Sequence, residues 1–484
     1  DPFFTAKDRK VIEEVLWGFT TFVRWLPNLD VEMAPLDEGR QNHTTFLGLS
    51  LYYTHRYYTE KYGIAGLDSM VEKYRRAFNR GQAHSFRPND DAGNYFYYAP
   101  QHLLTYQMAQ GDDSFCSSGK LRSLIDLVVA TIDNRRDPVS FGDVGGYSHR
   151  GKGSARGMEL KFLGMGAWYY GDGQHQWLYN WDSSDRVISL DLMKDDGGKN
   201  ENPIQMQFGA DRVFSVEDMY SGGYAVDIKP ENPARYTGVF PVMLDQAALR
   251  WSSLRSDGNN QIPSAAKRYF DKISFRRNFD PQDEYLLVDG LSTFSHGHQD
   301  GNTVTRLTWK DRIWLFDLDY IKMTPKYHNG VTVVRNGMQE SPPPLNVLNF
   351  AADFNSFGFT RTTSEDYSGA DWERNIIWKK GRYFIVLDRV TAVKGGDYRL
   401  ECRWRPRGDA SLDRNVLSVR QGDAVFYIWS ADNAHREIVD EPDESRSSWN
   451  YPYGEGKLSI CEARKSLTMA PHSAYTFVNL MYAA

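Results

Sequence analysis

Cysteine is scarce in this chain. The three cysteines in 484 residues, Cys116, Cys402 and Cys461, are odd in number and far apart. That excludes a disulfide framework and a cysteine-based zinc ribbon. Long hydrophobic runs are missing too: no stretch of 18 or more apolar residues occurs, so no membrane span is expected. Nor is there a surplus of positive charge. The 57 Lys and Arg against 63 Asp and Glu leave a net charge of −6, which argues against nonspecific nucleic-acid binding. A polyanionic ligand would need a locally basic cleft. The chain begins at Asp1 with neither a methionine nor a signal sequence, and a processed or truncated product is expected.

What is present describes a globular protein, with 41% hydrophobic and 25% charged residues. Its length exceeds what one hydrophobic core usually serves, so two domains are expected. In "RKVIEEVLWGFTTFVRWL", Ile12, Val15, Leu16, Phe19, Phe22 and Val23 recur at helical spacing, and "GKLRSLIDLVVATID" repeats the signal. "TTFLGLSLYYTHRYYTEKYG" and "YFYYAPQHLLTYQMAQGDD" read as further helices closed by glycine-containing loops. From about residue 268 short β-patterns take over, including "EYLLVDGLS", "DRIWLFDLDY", "GVTVVRNG" and a hairpin with "RQGD" at its turn. The pattern predicts a helical domain over 1–195 and an antiparallel β-sheet domain over 196–484, the boundary placed within a few tens of residues.

Three stretches carry chemistry. In "FSHGHQDGNTV", His296, His298 and Asp300 are spaced by two, and an extended backbone would put all three on one face. Asp317 follows within the apolar run "DRIWLFDLDY", and His328 precedes the next strand. Two imidazoles and a carboxylate suit a three-ligand zinc site, and a carboxylate in so apolar a run is costly to bury unless paired or metal-bound. Spacing alone leaves hydrogen-bonded loop histidines open as well, and does not favour the metal over them. In the helical part, "GRQNHTTF" sets Asn42 beside His43, and Tyr98 lies in the tyrosine-rich "NYFYYAPQHLL" with Tyr95 and Tyr97. Tyr95 is three residues from Tyr98 and would share its helix face. Asn42 is equally a helix cap, and tyrosines flank helices routinely. The third stretch, "FGDVGGYSHRGKGSAR", gathers Arg150, Lys152 and Arg156 in a glycine-rich segment that could grip carboxylate or sulfate groups, or be a solvated loop. The aromatics of "GAWYYGDGQHQWLYNW" suit either sugar subsites or a helix core.

The ordered run "LLVDGLSTFSHGHQDGNTVTRLTWKDRIWLFDLDY…HNGVTVV", with "FGD" at 141–143 and "NIIWKKGRYFIVLDRVTA", resembles the heparinase II/III-like polysaccharide lyases. "RGKGSAR" and "GAWYYGDGQHQWLYN" resemble the related hyaluronate and chondroitin lyases. The resemblance covers most of the chain. It implies an N-terminal (α/α) toroid followed by an antiparallel β-sandwich. It further implies that His298, Asp317 and His328 hold a Zn2+ ion of mainly structural role, or another divalent cation. Asn42, His43, Tyr98 and His296 become the catalytic group, with Tyr95, Arg150, Lys152 and Arg156 binding substrate. The family has more helical hairpins before its Asn-His pair than the 41 residues here allow, and Asp319 stands where a glycine is usual.

The activity the resemblance implies is β-elimination on an anionic, uronate-containing polysaccharide, leaving a 4,5-unsaturated uronate. A uronate C5-epimerase uses the same deprotonation, and a non-catalytic carbohydrate-binding protein would use the same aromatics. A secreted or periplasmic location is expected, with a polysaccharide as the partner and no nucleic acid.

Overall fold

The computed structural model describes residues 5–25, 42–65, 85–88, 90–93, 95–143, 158–183, 228–252, 266–292, 296–317, 323–440 and 459–484, with short pieces at 75, 78–79, 205–207 and 213–215. Two compact units emerge: Asp1–Asp90, Tyr95–Lys120 and Asn202–Val216 form the first, and Asp91–Asn94, Leu121–Glu201 and Glu217–Ala484 the second. The expected boundary at 195/196 lies outside the described residues.

The first unit is mainly helical, with one small antiparallel pair, Gln205–Gln207 and Val213–Ser215. Its main helices are Ala6–Trp25, Asn42–Tyr62 and Tyr98–Gln110. The last of these buries nearly every side chain from Ala99 to Met108. Pro100 is tolerated because it lies in the first turn, where the lost N–H has no intrahelical partner. Gly111 ends the helix at φ 68, its N–H donating to the Gln107 and Met108 carbonyls, a left-handed cap that a side chain would strain. On Ala6–Trp25 the expected apolar positions Ile12 (40%), Val15 (64%) and Leu16 (40%) are exposed among the described residues.

The second unit combines helices with antiparallel sheets. In the Lys120–Ala130 helix Leu121, Leu124, Ile125 and Val128 form the buried stripe that the spacing predicts. Three sheets follow: five strands (Gly238–Met243 to Arg312–Phe316), four (containing Val331–Arg335 and Gly396–Trp404) and eight (containing Ala370–Lys379 and Tyr383–Ala392). Every pairing is antiparallel. Ala370–Lys379 alternates buried and half-buried residues, the period-2 signature of a sheet with one packed face. One hydrophobic core, including Phe275, Leu307, Val333, Trp372 and Phe426, joins all three sheets. This is the stacked β architecture expected for the C-terminal part, following helices in the N-terminal part.

The strands Phe270–Arg276 and Tyr285–Asp289 are buried on both faces. Ile273, Phe275, Leu286 and Val288 face the core. Residues alternating with these, and Arg306 of the neighbouring strand Val304–Trp309, meet the end of the Lys120–Ala130 helix and the segment after it. Tyr285 Oη donates to the Ala130 carbonyl at 2.6 Å, Arg276 Nη1 donates to Asn134 Oδ1 at 2.6 Å and Arg306 Nη1 donates to Asp133 Oδ2 at 3.2 Å. The aromatics of "GAWYYGDGQHQWLYNW" are largely packing groups. Trp177 and Trp181 stack 6.2 Å apart and both meet Phe279, whose carbonyl accepts from Trp181 Nε1 at 3.2 Å.

Candidate active-site residues and a candidate metal centre

In the second unit, His298 and Asp300 lie in the turn between strands Tyr285–Asp289 and Val304–Trp309. Asp317 follows strand Arg312–Phe316, and His328 ends the short Pro325–Tyr327 turn. Backbone bonds fix these positions: Asp317 N–H donates to Thr305 O at 2.8 Å and His328 N–H to Pro325 O at 3.2 Å. Asn329 locks the His-Asn pair, donating from Nδ2 to Phe316 O at 3.1 Å and accepting from Arg405 N–H at 2.6 Å.

One ligand atom each from His298, Asp300 and His328 lies within 4.8 Å of the others, and all three residues are buried. His298 Nε2, His328 Nε2 and Asp300 Oδ1 make no hydrogen bond among the described residues. Buried polar atoms without partners are costly, and two imidazole nitrogens with one carboxylate oxygen are a donor set that Zn2+ accepts. The residues therefore fit a metal ion. Asp317, the acid expected in this set, sits on the other side of His328, with both carboxylate oxygens 2.8 Å from Nδ1. Arg405 Nη1 is 3.6 Å from Asp317 Oδ1.

Burial, then the neighbouring His328, pushes the His298 imidazole down to about 4, so it is neutral and able to ligate. Burial raises the Asp300 carboxyl well above the usual range, with Asp289, Asp317 and Asp91 adding to the effect. Below it lies an acid cluster that the sequence reading missed. Lys272 Nζ donates to Asp91 Oδ1 at 3.1 Å, Asp271 Oδ1 at 3.1 Å and Asp289 Oδ1 at 2.9 Å. Burial pushes the Asp289 carboxyl up to about 8 against the pull of Lys272. The available signal was a lysine inside the strand "YFDKISF".

The turn itself is not extended. His296 has φ 59, so the two-residue spacing does not set His296 and His298 on one strand face. "FGD" lies against this turn: Asp143 N–H donates to His296 O at 2.7 Å, and Asp143 Oδ1 is 3.7 Å from His298 Nε2.

In the first unit, Asn42 opens its helix and is buried at 5%. Its N–H donates to Asp90 Oδ2 at 2.9 Å, and Arg87 Nη1 holds the Asp90 carbonyl. The acceptor for this helix start is thus a distant aspartate, which satisfies an orphan N–H. His43 lies in the same helix, and its side chain is outside the described residues. Tyr98 is half-buried, its ring 5.5 Å from Phe46, 6.3 Å from His102 and 6.4 Å from Tyr95. His102 Nδ1 is 2.8 Å from Thr45 Oγ1, which donates to Asn42 O at 3.1 Å. Asn42 and Tyr98 thereby share one cluster with Phe46 and His102, two residues that sequence reading did not single out. Tyr97 is fully enclosed while Tyr95 and Tyr98 are not. Arg150, Lys152 and Arg156 lie outside the described residues.

No protein-family model and no curated protein matches the sequence. Solved structures do. Heparan sulfate lyase HepC from Pedobacter heparinus, as a mutant, aligns with a TM-score of 0.56 at 12% identity, over 91% of this chain and 60% of that one. A crystal structure of heparinase III gives 0.58 at 10%, over 95% and 65%. The fold is that of the heparinase III structures. A second heparinase III gives 0.54 at 12% identity, over 94% of this chain and 61% of that one. The chain thus spans about three-fifths of the length of the lyases it matches. Likeness at such low identity speaks for the fold alone. No described helix is long and apolar enough to cross a membrane.

Proposed function

We propose that this chain is a polysaccharide lyase that cleaves an anionic, uronate-containing polysaccharide by β-elimination. The observation that carries the reading is the clustering of Asn42 and Tyr98 at adjoining helix starts in a chain with the heparinase III fold. A glycosaminoglycan is the first substrate class to try, and a secreted or periplasmic location goes with such a substrate.

The C5 proton of a uronate is a poor acid until the adjacent carboxylate is neutralised. Hydrogen-bond donors aimed at that carboxylate stabilise the enolate-like intermediate, as oxyanion donors do. Asn42, with His43 or His296, is assigned this work. Tyr98 is the general acid that protonates the departing O4, and, when deprotonated, the base for C5. His43 is the base for a substrate of opposite C5 configuration. Tyr95 and the basic residues Arg150, Lys152 and Arg156 are assigned to binding the polyanion.

His298, Asp300 and His328 would hold a Zn2+ ion, whose charge balances buried donors and fixes the turn that carries His296. Asp317 is assigned to orient His328 through Nδ1, the usual task of a carboxylate behind a metal-bound imidazole.

The test is a panel of uronate polysaccharides assayed for the ultraviolet absorbance of a C4=C5 bond. The Tyr98→Phe variant is expected to lose roughly a hundredfold or more in kcat, with substrate affinity kept. If folded wild-type protein yields no unsaturated product from any uronate polymer, the lyase reading fails. Solvent deuterium at C5 without cleavage would point to the epimerase.

A further inference from the structure

The "FGD" triplet belongs to no group assigned above, yet each of its residues is engaged by the fold of the second unit. Phe141 is buried at 2% with Lys272 Nζ 4.3 Å from its ring centroid. Its carbonyl accepts from Gly93 N–H at 2.9 Å. Gly142 has φ +61, and a Cβ there would overlap the Asp91 carbonyl oxygen and lie 2.7 Å from that of His296. Asp143 N–H donates to that His296 oxygen at 2.7 Å. His296 itself has φ 59, a left-handed conformation uncommon for any residue with a side chain. Such a residue persists only where its surroundings over-determine it.

We propose that the Phe141–Gly142–Asp143 turn is the positioning element of His296. Phe141 anchors it, Gly142 admits the close approach of two carbonyls, and the Asp143 amide holds His296 in the left-handed conformation that aims its imidazole. The catalytic consequence rests on the lyase reading. The conformational consequence does not. The same turn reaches the second histidine through the Asp143 carboxylate, which places one short segment behind both members of the HxH pair.

A purely structural turn and a positioning turn make different predictions. With a polysaccharide that the wild-type protein cleaves, Gly142→Ala should lower kcat at least tenfold, with KM nearly unchanged and zinc content retained. In combination with His296→Ala it should add nothing to the loss caused by His296→Ala alone, because residues acting as one unit are non-additive. Losses that multiply, or a Gly142→Ala variant within twofold of wild type, overturn the proposal. The second measurement needs neither activity nor a folded Gly142→Ala protein. If His296 is held left-handed, His296→Gly relieves the conformation and should melt above His296→Ala. Elsewhere in a chain glycine is the less stable of the two, so His296→Gly melting at or below His296→Ala sinks the proposal. A wild-type protein that cleaves no uronate polymer sinks the lyase reading instead, and the melting order still tests the left-handed conformation on which the proposal stands.

Discussion

Asp317 and Asp300 are both buried carboxylates beside His328, and their surroundings assign them different work. Asp317 accepts from His328 Nδ1 and has the Arg405 guanidinium 3.6 Å away, so its charge is compensated by protein groups. Asp300 Oδ1 has no hydrogen-bond partner among the described residues and lies with the two free imidazole nitrogens. The expected outcome is that Asp317→Asn weakens zinc binding about 10–100-fold, while Asp300→Asn weakens it more. Titration of the purified variants with zinc, followed by metal content after dialysis, measures this. Retention of zinc by Asp300→Asn and its loss from Asp317→Asn would restore Asp317 to the ligand set. At this scale the sequence was informative about identities and poor about conformation. His298 and His328 stood out as candidates by residue type beside an apolar strand, and spacing alone did not make them ligands. The left-handed backbone of His296 was not, because its cause lies in Gly142 and Asp143, more than a hundred positions away in the chain.

Among the elements, the Tyr98–Gln110 helix matters most to the proposed chemistry. Its first residue is the assigned acid, and its last turn is closed by Gly111 at φ 68 with open space where a Cβ would go. Gly111→Ala therefore meets only backbone strain. It should cost about 1 kcal/mol of stability, read by denaturant unfolding, with lyase turnover per folded molecule unchanged because the cap is a helix length from Tyr98. The helix was legible from its hydrophobic pattern and the "QGDD" that follows it. So was the hairpin around "RQGD", whose register pairs Gln421 with Ala424. Strands Phe357–Tyr367 and Ala370–Lys379, rich in charged and polar residues on one face, carry a weaker signal. Half of each strand faces outward, and those residues carry no core signal. The double burial of Phe270–Arg276 was also hidden, because Lys272, Ser274 and Arg276 look like a solvated face until partners distant in the chain, Asp91 for Lys272 and Asn134 for Arg276, are brought to it.

Across the whole molecule, the second unit is knitted by contacts between distant segments. Arg276 is fully buried, donates to Asn134 Oδ1 at 2.6 Å and to the Val129 carbonyl at 3.1 Å, and also donates to the Ile132 carbonyl. Its ring neighbours are Phe279 and Tyr285, at 4.5 and 4.6 Å from the guanidinium carbon to the ring centroids. Burial lowers its guanidinium to about 10, so it is still charged at neutral pH. Arg276→Ala leaves three acceptors without their donor and opens a cavity. A loss of about 3 kcal/mol or more is expected, visible as a lower melting temperature. A shift within 1 kcal/mol of wild type would show that the helical segment and the sheet are held by other contacts. The likeness to heparinase III structures belongs to this scale as well, since it lies in the arrangement of elements at 10–12% identity.

The sequence by itself determined the element types, the order of helices before sheets and the residue kinds of both candidate sites. Local periodicity and turn chemistry depend on neighbours a few positions apart. Tertiary structure alone decided which acid lies with the unpartnered Nε2 atoms of His298 and His328, which tyrosine is enclosed, and that Lys272 lies among Asp91, Asp271 and Asp289. It also decided the conformation of His296. Each of these depends on burial and on partners brought together by folding, with Lys272 and Asp91 181 positions apart, and a distance of that kind leaves no local trace for a pattern to carry.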